Sequence, residues 1–85
     1  METRVAVISI IISEWASVQR VNEILHEYAE YVIGRMGIPY RARGINIISV
    51  ALDAPQEVIS AMSGKIGRLA GVNSRATYAN VPTEH

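Results

Sequence analysis

Arg4-Val5-Ala6-Val7-Ile8-Ser9-Ile10-Ile11-Ile12 is the stretch on which the fold turns. It is rich in β-branched residues and apolar at both odd and even positions. A strand with one wet face alternates apolar and polar residues, whereas one covered on both sides reads as a near-continuous apolar run. The stretch therefore reads as a central strand. It is too short for a membrane span, which needs about 20 apolar residues. It also makes a poor leader peptide: only Arg4 precedes it against Glu2, and Glu14-Trp15 follow where small residues would be needed.

Outward from that strand, Ser13-Glu14-Trp15-Ala16-Ser17 leads into a helical period. Val18, Val21, Leu25 and Tyr28, with Ile24 beside them, make one apolar stripe; Gln19, Arg20, Glu23, Glu27 and Glu30 line the other side. Ser13 or Ser17 is placed to cap this first helix, which is expected to end near Ala29. Tyr31 to Gly37 reads as a short edge strand, and Ile38 to Gly44, with Pro39 in it, as the following turn.

Ile45 to Leu52 is a second strand with two largely apolar faces. Asp53 then stands where a helix cap belongs, Pro55 falls in the first turn, and Gln56 lies three residues beyond the cap. Val58, Ile59, Met62, Ile66 and Leu69 give the second helix its buried stripe, and Gly71 is placed to stop it. Asn73 to Val81 reads as the last strand and Pro82 to His85 as a frayed tail.

The order β-α-β-β-α-β specifies an α+β, ferredoxin-like fold. Right-handed crossovers place the first and third strands at the centre of a four-stranded antiparallel sheet with both helices on one face. The whole chain, 1–85, is expected to be one domain.

Composition narrows the function. Eight basic and eight acidic residues cancel, so the basic excess typical of a nucleic-acid binder is missing, and no direct nucleic-acid binding is expected. With no cysteine, disulfides, thiolate metal sites and thiol catalysis are excluded together, which fits a reducing, cytoplasmic location. His26 has no second histidine four residues away and His85 ends the chain, so no metal site is expected. Ser63-Gly64-Lys65-Ile66-Gly67 lacks the earlier glycine and the hydroxyl residue of a phosphate loop. No catalytic residues and no cofactor are expected.

Two features point to binding. Gly64 and Gly67 each weaken a helix by about 1 kcal/mol relative to alanine, so either a close approach to sheet or partner, or a ligand needing backbone access, should compensate. Arg35, with Arg41 and Arg43, clusters near the edge strand, either as a solvated turn or as an anion site.

Self-association follows from the two central strands. On the first, Val5, Val7 and Ile11 oppose Ala6, Ile8, Ile10 and Ile12; on the other, Ile45 and Ile47 oppose Ile48, Val50 and Leu52. Whichever set the helices cover, branched residues remain on the open face, which is unusual for a soluble monomer. A homo-oligomer, dimer or tetramer, would bury them by sheet stacking or edge pairing, unless the C-terminal tail folds over the face.

Three segments in succession carry a family likeness: Val21-Asn22-Glu23-Ile24-Leu25-His26-Glu27-Tyr28, Ile33-Gly34-Arg35-Met36-Gly37-Ile38-Pro39-Tyr40 and Ser63-Gly64-Lys65-Ile66-Gly67-Arg68-Leu69-Ala70-Gly71-Val72. With them the chain, from Arg4 to Val81, resembles the small proteins described as iron-only hydrogenase system regulators, an ACT-like family. The resemblance implies an ACT-like fold similar to the ligand-sensing domain of the nickel-responsive repressor, and a regulatory role, of a transcriptional kind, beside hydrogenase maturation. The chain lacks the cysteine and histidine set of the nickel sensor, so metal sensing does not carry over.

ACT-like domains commonly bind small effectors at a subunit interface, near the loop after the first strand. By that analogy Trp15 would wall a pocket and Ser13 would donate to a ligand carboxylate, although the glycine common in such loops is missing. Ser13, Trp15, Arg35, Gly64 and Gly67 are thus the candidate ligand-binding residues of a small-molecule-binding regulator. The alternative is a non-catalytic scaffold without a ligand. An acylphosphatase-like enzyme would want an arginine in a glycine-rich loop where Ser13-Glu14-Trp15 stands.

Overall fold

The computed structural model describes residues 2–80, and in it Arg4–Ile12 forms strand β1, paired along both edges. Helix α1 (Val18–Glu27), strand β2 (Val32–Tyr40), strand β3 (Ile45–Ala54), helix α2 (Gln56–Gly67) and strand β4 (Val72–Tyr78) follow, with a 3-10 turn at each of the first three junctions, up to the start of β3. The sheet order is β2-β3-β1-β4 and every pairing is antiparallel. This is the expected ferredoxin-like α+β fold, with β1 and β3 at its centre. No helix among the described residues is long and apolar enough to cross a membrane.

Register decides which half of each central strand becomes core. Ala6, Ile8, Ile10 and Ile12 of β1 lie beside Leu52, Val50, Ile48 and Asn46 of β3, and the apolar members of both sets are buried. Val21, Ile24 and Leu25 of α1 and Ile59, Met62 and Ile66 of α2 close over them as one cluster. Each fully buried branched side chain stabilises the fold by roughly 1.5–3 kcal/mol before ordering entropy offsets much of it. The stripe predicted for α1 is thus its buried face, with Val18 and Tyr28 half-buried at its ends.

Four local expectations are corrected. Strand β2 does not end at Gly37 but runs to Tyr40, so Ile38, Pro39 and Tyr40 are strand rather than turn. An edge strand tolerates a proline because one of its sides needs no ladder partner, and Gly34 and Gly37 keep negative φ. Asp53 does not cap α2: β3 continues through Ala54, which pairs with Arg4, and Pro55 occupies the cap position. Ser17 stands at the cap position of α1 but makes no capping bond. Strand β4 begins at Val72 and ends at Tyr78; Val81 and the tail from Pro82 to His85 lie outside the described residues.

Candidate functional site

The loop after β1 is pinned rather than free. Ser13 donates its backbone N–H to the Gly71 carbonyl at 2.7 Å, and its hydroxyl donates to the same oxygen at 3.1 Å. The Ser17 hydroxyl, missing from the helix cap, donates instead to the Ala70 carbonyl at 2.7 Å, and Ser17 is buried. The turn between α2 and β4 that offers both carbonyls is possible because Gly71 adopts φ 69°, a left-handed conformation. Trp15, in the 3-10 turn Trp15–Ser17, is 50% exposed. The indole therefore stands out from a loop whose ends are held.

The other candidates are distributed over the helix side of the sheet. Gly67 faces β4, where an added β-carbon would lie 3.6 Å from the Ser74 β-carbon, an ordinary packing distance. One turn earlier the Ser63 hydroxyl meets the Ser74 hydroxyl at 3.0 Å. Gly64 lies beside the Arg68 guanidinium, 3.3 Å from where its β-carbon would be. Arg35 sits on β2, at the opposite edge of the sheet from β4, and donates to the Asn22 side chain of α1 at 2.7 Å. Ser13, Trp15 and Gly67 thus belong to the β4 side, while Arg35 clasps the other edge. Arg41 and Arg43 occupy the 3-10 turn after β2.

Charge on the helix face is mostly paired. Arg20 meets Glu23 at 3.3 Å and Glu27 at 3.4 Å, and Lys65 of α2 reaches Glu27 at 3.6 Å. The Lys65 ammonium also stands over the Tyr28 ring, 5.1 Å from its centroid. Tyr28 first, and Glu27 second, raise the Lys65 pKa above its ordinary value. His26 is exposed on α1, and among the described residues no three acidic or histidine side chains converge as metal ligands would.

The opposite face of the sheet has no helix over it. Val5, Val7 and Ile11 of β1 point there, as do Met36, Ile38 and Tyr40 of β2, and each is exposed. Ile45 and Ile47 of β3 are half-buried between them. Across the last strand pair the character changes: Asn73, Arg75 and Thr77 of β4 lie opposite Ile11, Ser9 and Val7. The open face therefore carries apolar residues on three strands, crossed at its middle by the Ser9–Ser49 pair, with Asp53 at one end and the polar strand β4 along one border. That border was not foreseen from the sequence, though the alternation Asn73-Ser74-Arg75-Ala76-Thr77 held the signal once a register was assigned.

With the geometry established, comparison with known proteins gives concordant matches. The solved structure of the uncharacterized protein TM1266 from Thermotoga maritima superposes with a TM-score of 0.87 at 31% identity, covering 91% of this chain and 98% of that one. None of the curated proteins matches the chain. A family model described as "TM1266-like: Iron-only hydrogenase system regulator, putative" matches residues 4–76, nearly the whole of the sheet and both helices. The chain belongs to this TM1266-like family of iron-only hydrogenase system regulators.

Proposed function

We propose that this chain is a cytoplasmic, non-catalytic regulator in the iron-only hydrogenase system that works as a homo-oligomer and takes a small effector at a subunit interface. Family membership supports the regulatory part. The observation that carries the assembly part is the open sheet face, where Val5, Val7, Ile11, Met36, Ile38 and Tyr40 are each between 38% and 58% exposed. A largely apolar exposed surface of that kind is typically an interaction site, and stacking on a second copy buries it on both partners at once. The balanced formal charge favours action through protein partners, so any control of transcription would pass through a separate DNA-reading protein.

One observation favours the ligand-free scaffold as the second reading: the Ser13 hydroxyl already donates to Gly71. Two measurements test the proposal. Sedimentation velocity at micromolar concentration is expected to give a dimer or tetramer, and a 9.3 kDa monomer would sink the assembly. Thermal-shift screening against amino acids, nucleotides and metal ions is expected to find a stabilising compound; a flat panel moves the choice to the scaffold.

A further inference from the structure

We propose that the open sheet face carries, where β4 meets β1, a binding site for a small oxyanion-bearing metabolite, anchored by Arg75. Antiparallel pairing sets Arg75 opposite Ser9 and Asn73 opposite Ile11. Opposed side chains on one face stand about 4.5–5.5 Å apart at their β-carbons, so these four form the corners of one patch. A depression of about 340 Å³ lies there, lined by Ser9, Ile11, Asn73, Ser74 and Arg75. That volume is at the small end of ligand sites and suits a compound of few heavy atoms.

Charge makes the site selective. By register, Asp53 and Arg75 are the charged residues among the strand positions that share this face. Asp53 is two strands across and four residues along from Arg75, about 16 Å from strand spacing and rise, too far to neutralise it. The ion pairs among the described residues use Arg20 and Lys65, not Arg75. A guanidinium presents parallel N–H groups matched to a carboxylate or a phosphate. The Ser9 hydroxyl and the Asn73 amide supply further donors beside it, and Ile11 gives an aliphatic wall for a short branched stem. Ser49 of β3, paired with Ser9, continues the polar row inward.

The site also borders the apolar patch. A second copy stacked on β1, β3 and β2 would roof the depression and exclude water from it, strengthening the charge-assisted bonds. The inference therefore deepens the effector-binding proposal and relies on it for its biological purpose.

The test is an amide-resonance titration of the full chain with isovalerate, with its neutral isostere isovaleramide, and with inorganic phosphate. Isovalerate is expected to shift the amides of Ser9, Ile11, Asn73 and Arg75 saturably, and isovaleramide to leave them in place. Arg75→Gln, an exposed substitution that keeps the fold, is expected to weaken that binding by about tenfold or more. Phosphate shifting the same amides as strongly supports the site and assigns it to phosphate-bearing ligands. No saturable shift with either anion, or binding unchanged in Arg75→Gln, overturns it. Shifts confined to residues 13–17 overturn this site while leaving effector binding intact; saturable shifts at Arg75 in a monomeric chain do the reverse for assembly.

Discussion

Gly71 and Glu14 approach so closely that a β-carbon on Gly71 would lie 2.5 Å from the Glu14 β-carbon and 2.9 Å from its amide nitrogen. Gly71 also holds a left-handed φ of 69°. Both facts tie the loop after β1 to the turn before β4.

Gly71→Ala should therefore be costly twice over, through the left-handed backbone and through displacement of Glu14. The expected loss is about 3 kcal/mol, which for a domain of this size lowers the melting temperature by roughly 12–24 °C. Gly44 shares the left-handed φ, at 65°, but an added β-carbon there meets nothing within 4 Å. Gly44→Ala should lose only about 1 kcal/mol. Thermal denaturation of the two variants compares them directly, and equal losses would refute the steric part.

Ser17 makes its bond to Ala70 from a buried position, whereas the exposed Ser13 hydroxyl doubles a bond its own N–H already makes. Ser17→Ala is expected to cost about 1 kcal/mol, and Ser13→Ala under about 0.5 kcal/mol. Urea denaturation midpoints read both, and the opposite ranking would be incompatible with this clamp.

On the open face, position rather than charge alone should govern assembly. Ile38→Glu places a carboxylate within the apolar patch and is expected to turn the proposed oligomer into a monomer of 9.3 kDa with unchanged circular dichroism. Thr77→Glu lies on the polar β4 border and is expected to leave the assembly intact. Sedimentation of both variants checks this, and identical behaviour would show that the patch is not the interface.

Lys65 gives a pH signature. Its pKa is raised in the folded chain by Tyr28 and then Glu27. A raised folded pKa means that the stabilisation is fully present below the unfolded value, about 10.4, and is lost as pH rises through the folded one. The difference in melting temperature between the native chain and Lys65→Gln should be flat near neutrality and vanish in strongly alkaline solution. A difference that grows with pH would contradict the assignment.

How much of this was legible beforehand depended on the range of the signal. Strands β1 and β3 were readable because each carries its own proof, apolar residues on both faces, and the α1 stripe likewise. The segment Ile38 to Tyr40 misled because a proline following two glycines usually ends a strand, whereas the edge position makes Pro39 admissible. Asp53 had the chemistry of a cap, but pairing of Asp53 with Val5 and Ala54 with Arg4 kept it in the sheet. The Ser17–Ala70 bond joins residues 53 apart, and no local pattern marks such a pair. Arg75 became visible as part of a face only when register set it against Ser9.

The sheet order also has a consequence in time. β1 is synthesised first, yet its two neighbours are β3 and β4, and β4 comes last. About sixty residues separate the end of β1 from the start of β4, which a ribosome adds in roughly 3–12 s at about 5–20 residues per second. Throughout that interval a run of nine residues, nearly all apolar, has at least one unpaired edge. An exposed edge of that composition invites pairing with another nascent chain. The same strand that organises the finished sheet is thus the part of the newborn polypeptide most in need of shelter.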